Sequence, residues 1–214
     1  MKPYVVGIDL GGTNTVFGIV DARGVVIASS SIKTCKHNTV DGFIEDLYVE
    51  LTRLIKANDA EGKIHGIGIG APNANYYTGM IEDAVNLPWP TPIPLAKLVS
   101  EKFGIPVTIT NDANAAAIGE MTYGAARGLK DFIMITLGTG VGSGIVINGQ
   151  LVYGHDGFAG ELGHVIMKRN NGRLCGCGRT GCLEAYCSAT GVARTAREFL
   201  EIRKEPSLLR NLHI

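Results

Sequence analysis

One histidine and three cysteines in a short, glycine-rich stretch have the residue types and spacing of a metal site. These candidate ligands are His164, Cys175, Cys177 and Cys182. Imidazole nitrogens and thiolates in sets of four form closed tetrahedral zinc sites, which are structural because no coordination position stays open. The intervening glycines permit the sharp turns that bring several thiolates to one point. A Cys175–Cys177 disulfide is disfavoured because its geometry would be strained, so the spacing predicts structural zinc.

Two glutamates flank this cluster, Glu161 on one side and Glu184 on the other. Taken separately, Glu161 is typical of a solvated surface acid, and Glu184 of an acid in the first turn of a helix. Beside candidate metal ligands, however, such side chains can be fixed at the rim of a pocket. The arrangement favours a polar small-molecule site over a nucleic-acid-binding finger.

A third acid, Asp112, follows a predicted strand and opens an alanine-rich segment. Aspartate in this position is typical of a helix N-cap, which contributes about 1 kcal/mol to stability. A helix N-terminus also favours the ionised carboxylate, and such a carboxylate in a cleft can accept the proton of an alcohol that attacks phosphorus. The two interpretations are compatible, and the second makes Asp112 a candidate catalytic base.

Two glycine-rich loops follow short apolar strands and are candidates for binding phosphate. They span residues 9–13, Asp-Leu-Gly-Gly-Thr, and residues 137–142, Leu-Gly-Thr-Gly-Val-Gly. Small residues let backbone N–H groups approach phosphate oxygens, and the hydroxyls of Thr13 and Thr139 add donors. Neither loop is a Walker A or dinucleotide motif, because Gly-Lys-Ser/Thr is missing and each loop leads into a strand. One loop alone would be typical of a plain hairpin, whereas two in equivalent positions of a repeat favour nucleotide binding, with Asp9 placed to hold Mg²⁺ through water.

The elements that must position these residues form a repeated strand–loop–strand–turn–strand unit. The predicted strands of its two copies are 4–10, 16–20 and 25–30, and then 132–137, 144–147 and 151–153. Apolar periodicity and run length predict helices at 40–57, 93–103, 112–121 and 189–204, and strands at 64–71 and 106–110. This alternation predicts an α/β fold with two similar lobes, 1–120 and 121–214, and a glycine loop at the mouth of each. The second copy has fewer elements than the first, so we expect the chain to be part of a longer protein with an incomplete second lobe.

Composition argues against several classes of protein. Lysine plus arginine and aspartate plus glutamate both number 20, so the formal net charge is zero and no basic excess indicates nucleic acid. No apolar stretch is long enough for a membrane span, and no signal peptide is recognisable. Five cysteines without a secretion signal indicate a reducing compartment, with Cys35 and Cys187 as free thiols. We therefore expect a cytoplasmic protein that contacts neither membranes nor nucleic acid.

Together these motifs resemble the ROK family of sugar kinases and repressors, within the actin-like, sugar kinase and Hsp70-like ATPase superfamily with its ribonuclease H-like fold. The matching segments lie in the family's order across nearly the whole chain, at residues 9–13, 111–115, 137–144, 160–164 and 175–184. The histidine with Cys-x-Cys-x4-Cys is the most specific of them. Repressors of the family carry a DNA-binding helix-turn-helix ahead of the first strand. That strand begins here at Tyr4, so we expect no such domain.

The resemblance implies a role for each matching residue. Asp112 would be the catalytic base that takes the proton of the sugar 6-hydroxyl. The other sugar hydroxyls would be bound by Asn111, Glu161, His164, Glu184 and Asn86. His164 would bind zinc through one ring nitrogen and face the sugar through the other, while Cys175, Cys177 and Cys182 complete the metal site. The nucleotide and its Mg²⁺ would be bound by Asp9, Gly11, Gly12, Thr13, Asn14, Gly138, Thr139, Gly140 and Gly142.

The implied activity is ATP-dependent phosphorylation of a hexose at its 6-hydroxyl, with glucose as the expected substrate and Mg²⁺ and structural zinc as cofactors. By analogy with the family we expect a homodimer. An N-acetylmannosamine or N-acetylglucosamine kinase is the alternative within the same class. From other classes, the alternatives are a non-catalytic sugar-sensing regulator, which should keep the sugar and zinc residues but lose Asp112, and a zinc-stabilised fragment without activity.

Overall fold

Strands and helices alternate along the chain in the computed structural model, which describes residues 3–84 and 86–211. The strands are β1 (Tyr4–Leu10), β2 (Asn14–Asp21), β3 (Val26–Lys33), β4 (Ile64–Ala71), β5 (Ala74–Asn75), β6 (Met80–Ile81), β7 (Val107–Asn111), β8 (Phe132–Leu137), β9 (Val141–Ile147) and β10 (Gln150–Leu151). The α-helices are α1 (Val40–Ala57), α2 (Leu95–Phe103), α3 (Asp112–Tyr123), α4 (Glu184–Cys187) and α5 (Ala189–Ile202). Short 3-10 turns occupy Thr34–Lys36, Leu162–His164 and Leu208–Asn211.

The larger sheet contains five strands in the order β3-β2-β1-β4-β7, with β1 antiparallel to β2 and parallel to β4. Alternation along β1 places Val6, Ile8 and Leu10 in the core. From α1, Phe43 and Leu47 at helical spacing join the same core, and each such buried side chain contributes about 1.5–3 kcal/mol. The apolar residues of β1 and α1, recognised by their spacing in the sequence, therefore form the core on which the larger sheet rests.

Helix α3 contacts both sheets, and its alanine-rich sequence makes this possible. The smaller sheet has the order β10-β9-β8, and α3 packs against β4 and β7 of the larger sheet and against β8 and β9 of the smaller one. A Cβ on Gly70 would lie 3.2 Å from the Cβ of Ala115, and one on Gly144 would lie 2.6 Å from the Cβ of Ala117. Small residues on both sides thus bring the two sheets close to the helix that begins at Asp112.

The predicted internal repeat is confirmed in the strand pairing. In the first copy Leu10 pairs with Thr15 across the glycine loop, and in the second Leu137 pairs with Val141. Both loops are therefore tight hairpin connections between antiparallel strands. Among the described residues β1 has a second neighbour, β4, whereas β8 lies at the edge of its sheet.

Several predicted boundaries were wrong for local reasons. Helix α2 begins at Leu95 rather than residue 93, because Pro94 precedes its first turn and Ile93 forms a bridge with Ile81. The hairpin of β5 and β6 and the short helix α4 were missed, since elements of two to four residues leave no periodicity to detect. Strand β9 begins at residue 141, earlier than predicted, because pairing with β8 starts directly after the loop.

The predicted lobe boundary at residue 120 falls inside α3, the helix shared by both sheets, and the division of the chain into 1–120 and 121–214 stays a prediction. Within residues 3–84 and 86–211, none of the helices combines the length and the apolar character that crossing a bilayer requires.

Candidate functional site

Asp112 lies where β7 ends and α3 begins, and its neighbour rather than Asp112 itself caps the helix. The side-chain oxygen of Asn111 accepts a hydrogen bond from the backbone N–H of Ala113 at 2.9 Å, and Asn111 is the N-cap residue. The Asp112 carboxylate accepts from the same N–H at 2.8 Å and is exposed to solvent. The prediction of Asp112 as the cap was therefore wrong. The cap bond occupies the side-chain oxygen of Asn111, a residue predicted to bind sugar, while the Asp112 carboxylate stays accessible.

The negative charge of Asp112 acts on two other carboxyl groups. Burial, and then the charge of Asp112, raise the pKa of Asp9. Burial also raises the pKa of Glu161, with His164 opposing the shift and Asp112 and Glu184 adding to it. Both residues remain exposed to solvent, so their burial is partial. The structure thus brings the carboxylates of Asp9, Asp112 and Glu161 into one electrostatic neighbourhood.

Neutralising Asp112 tests this placement directly. In an Asp112→Asn variant we expect the pKa of Asp9 and of Glu161 to fall, because a like charge that disfavours their ionisation is removed. Carboxyl carbon NMR titration measures both values. Asp21, whose pKa is lowered by hydrogen bonds from Val25 and Arg23 within its own turn, should titrate unchanged. An unaltered Asp9 titration would place the two carboxylates apart.

The four candidate metal ligands converge as the sequence predicted. Their ligand atoms all lie within 4.8 Å of one another. The Nδ1 of His164 is 3.7 Å from the Sγ of Cys175, and the Sγ atoms of Cys177 and Cys182 are also 3.7 Å apart. In a tetrahedral site with zinc–sulfur bonds of about 2.3 Å, sulfur atoms lie about 3.8 Å apart. The donor types and the spacing therefore fit one tetrahedral metal ion, with Nδ1 as the histidine ligand.

Local turns and one arginine build this cluster. A Cβ on Gly181 would lie 1.9 Å from the carbonyl oxygen of Lys168, so only glycine fits beside Cys182. Burial raises the pKa of Cys175 to about 12. Burial acts in the same direction on Cys177, but hydrogen bonds from the backbone and guanidinium of Arg179 outweigh it and bring that pKa down to about 6. Cys177 is thus the thiol that ionises more readily of these two, and metal binding must displace the proton of Cys175.

Glu184 connects the cluster to the second glycine loop. Its Oε2 accepts a hydrogen bond from the backbone N–H of Val141 at 3.0 Å, and its Oε1 lies 3.5 Å from the Sγ of Cys175. The sequence placed Glu184 near the sugar site, and its charge does act on Glu161. The bond to the loop was missed, because no local pattern relates residues 43 positions apart.

The first glycine loop lies against the backbone of Asn86. A Cβ on Gly12 would lie 2.1 Å from the Asn86 carbonyl oxygen, so this contact requires glycine. The Asn86 side chain itself is exposed. Asn14 and Gly142, both predicted to bind the nucleotide, lie in the strands β2 and β9. Gly142 packs there against α3, where a Cβ would lie 2.9 Å from that of Ala113.

The other predicted loop residues are placed in the hairpin connections themselves. Gly11 donates its N–H to the carbonyl of Asn14 at 3.0 Å, and Gly138 donates to Gly140 at the same distance. The carbonyl of Thr13 accepts from the backbone of Thr34. Thr139 lines a cavity of 260 Å³ together with Glu184, Ser188, Thr190 and Arg194 among others.

The segment that leads to Glu161 is positioned by contacts of aromatic and amide side chains. The sequence analysis did not predict these contacts. Asn75, from the β5–β6 hairpin, donates to the carbonyl of Asp156 at 2.9 Å, and the hydroxyl of Tyr77 donates to that of Gly154 at 3.0 Å. The rings of Tyr76 and Tyr153 stack at 4.2 Å. The loop before Glu161 is thereby attached to the larger sheet's side of the molecule. The adjacent tyrosines Tyr76 and Tyr77, in a stretch with no predicted helix or strand, could have drawn attention to this segment.

The two related strand units, joined by α3 and each closed by a glycine hairpin, define an α/β protein of the actin-like ATPase fold. A family model described as the ROK family matches residues 5–212, and the chain belongs to this family.

Relatives of known structure and sequence agree with this assignment. The glucokinase of Halalkalibacterium halodurans is 41% identical over 207 residues, covering 96% of this chain and 62% of that protein. A putative xylose repressor from Caldicellulosiruptor sp. is 34% identical, covering 92% of this chain and 49% of that protein. The crystal structure of a ROK family glucokinase from Streptomyces griseus, in complex with glucose and AMPPNP, is 35% identical with a TM-score of 0.76, covering 94% of this chain and 62% of that one. The chain thus spans 62% of the length of both glucokinases.

Proposed function

We propose that the protein of which this chain forms part transfers the γ-phosphoryl group of ATP to the 6-hydroxyl of a hexose, with glucose as the substrate. The observation that carries the proposal is the position of Asp112, exposed at the start of α3, the helix that packs against both sheets. Its charge also contributes to the raised pKa of Asp9, beside the first glycine loop, and of Glu161, near the Cys/His cluster. A base that serves phosphoryl transfer to an alcohol must reach both the nucleotide side and the sugar side of the site. The similarity to two glucokinases supports the same reaction class.

In this proposal Asp112 accepts the proton of the attacking hydroxyl and orients its oxygen toward the phosphorus atom. Two further side chains bind other hydroxyls of the sugar. One is Glu161, whose pKa is raised mainly by burial, and the other is His164, through the ring nitrogen that faces away from the metal ligands. Asn111 contributes through its amide nitrogen, because its oxygen caps the helix.

The two glycine hairpins would bind the phosphates through backbone N–H groups and the hydroxyls of Thr13 and Thr139. Asp9 would hold Mg²⁺ through water, and the ion would supply charge neutralisation of the phosphates. His164, Cys175 and the two other cysteines would hold zinc, which in a closed four-ligand site is structural and keeps Glu161 and Glu184 in place.

A sugar-panel assay with ATP tests the function and its alternatives. We expect phosphorylation of glucose, with kcat/KM at least about tenfold above that for mannose, fructose, N-acetylmannosamine and N-acetylglucosamine, the factor that one or two lost hydrogen bonds supply. A preference for an N-acetyl sugar would identify the alternative kinase. Turnover of none of them would contradict the proposal.

A sugar-sensing regulator is the second candidate, favoured by the similarity to the putative xylose repressor. Asp112 argues against it, because a sensor needs no catalytic base. Sugar binding measured by calorimetry, without turnover in the panel assay, would support the regulator instead. Homodimer formation and a cytoplasmic location stay predictions, and light scattering tests the first of them.

A further inference from the structure

Glu184 lies between the Cys/His cluster and the second glycine loop, and it contacts both. Its Oε2 accepts from the Val141 N–H at 3.0 Å, directly after the loop, and a Cβ on Gly140 would lie 2.6 Å from the same oxygen. Its Oε1 lies 3.5 Å from the Sγ of Cys175. The same turn includes Cys182, whose carbonyl accepts from the Ala185 N–H at 3.1 Å. The backbone of this turn therefore connects Glu184 to the cluster, and one carboxylate oxygen connects it to the loop.

The loop itself has little to hold its conformation. Residues 138–140 are Gly-Thr-Gly, and glycine loses more conformational entropy on ordering than other residues. Within the loop one hydrogen bond joins Gly138 to Gly140. From outside, the Ala189 N–H donates to the Gly138 carbonyl at 2.8 Å. The segment that follows the cluster thus anchors both ends of the loop, through Ala189 at its start and Glu184 at its end.

We propose that Glu184 is a positioning residue for the second glycine loop, through which the Cys/His cluster sets the conformation of the nucleotide site. The inference rests on the proposed function in assigning this loop to nucleotide phosphate. A carboxylate is unfavourable beside phosphate on electrostatic grounds, so its presence there needs a geometric reason. Its hydrogen bond to Val141 is charge-assisted and therefore stronger than a neutral one. The glycine at position 140 leaves the space that this bond requires.

Two substitutions separate the geometric role from the charge. Glu184→Gln keeps an acceptor oxygen at the same distance and removes the charge, so we expect the loop to stay ordered and nucleotide affinity to be kept or increased. Glu184→Ala removes the acceptor, so we expect the rate of amide exchange at Val141 to rise about tenfold, which is the effect of losing one hydrogen bond to a charged acceptor. We expect the affinity for a non-hydrolysable ATP analogue, measured without sugar, to fall by a similar factor. Glu201→Gln is the matched control, since this exposed glutamate lies in the last turn of α5, outside the loop and the cluster, and its replacement should leave both readouts unchanged.

Metal removal tests the link to the cluster. In the wild-type protein, chelation should raise exchange at Val141, and in Glu184→Ala it should add little, because the two changes act through one contact. Unchanged exchange and unchanged analogue affinity in a folded Glu184→Ala protein would overturn the inference, leaving Glu184 a sugar ligand alone. A wild-type protein that binds no nucleotide would overturn the proposed function instead. In that case amide exchange at Val141 would still measure the hydrogen bond between Glu184 and Val141.

Discussion

Replacing Asp112 with alanine is expected to reduce phosphoryl transfer by a factor of about 10²–10⁴, the range that general-base catalysis contributes. The carboxylate is exposed at the start of α3 and lies within electrostatic reach of Asp9 and Glu161. Of the three neighbouring carboxylates, Asp112 is the one that follows a strand and opens a helix, so we expect neither Asp9 nor Glu161 to replace it. The measurement is kcat in the whole protein at saturating sugar and ATP.

Controls separate loss of the base from loss of the fold. Asp112→Asn keeps the shape of the side chain and should lose a similar factor in kcat while still binding sugar. Asp41→Asn alters an exposed aspartate in the first turn of α1 and should leave kcat unchanged, which controls for the effect of an acid at a helix N-terminus. An Asp112→Asn protein within tenfold of wild-type turnover would remove Asp112 from the role of base.

Loss of the metal is expected to have the largest effect on stability. We expect one zinc ion per chain by elemental analysis and almost none in Cys182→Ser, a substitution at a fully buried ligand. Structural zinc contributes about 10–16 kcal/mol of apparent binding free energy in small domains. If about 4 kcal/mol of this is coupled to folding here, the thermal midpoint falls by about 8–16 °C in the variant or with chelator.

The two remaining cysteines provide matched controls for this prediction. Cys35 and Cys187 are exposed and outside the cluster, so Cys35→Ser and Cys187→Ser should keep the metal and the melting temperature. Hydrogen exchange should localise the destabilisation to residues 164–187, while the core beneath the larger sheet, around Phe43 and Leu47, keeps its protection. Full metal content in Cys182→Ser, or a melting temperature indifferent to chelator, would contradict a structural metal.

Much of the fold could be predicted from local patterns. Continuous apolar runs predicted β1 and β8, the alternation of glycine with apolar residues predicted β4, and period-3.6 apolar residues predicted α1. Each pattern is detectable because it reflects which faces of a regular element are buried. The similarity of the two strand–glycine–strand units predicted equivalent hairpins, and the pairing confirms them. The convergence of His164 with the three cysteines also followed from spacing, since glycines near the ligands limit how the segment can turn.

Contacts between distant segments could not be predicted. The bond between Glu184 and Val141, and the attachment of the loop at Asp156 to Asn75, join residues with no shared local pattern. The cap at α3 was assigned to the wrong residue, because Asn111 and Asp112 are both good caps and only the backbone path selects one.

The amino-acid sequence by itself determined which chemistry is available: a Cys/His ligand set, an aspartate at a helix start and two glycine hairpins, all set by residue type and short-range geometry. Only the tertiary structure decided how the ligand set, the aspartate and the two hairpins lie relative to one another. Packing α3 between two sheets through glycine and alanine brings Asp112 near both Asp9 and Glu161, and that proximity depends on long-range burial that no short segment encodes.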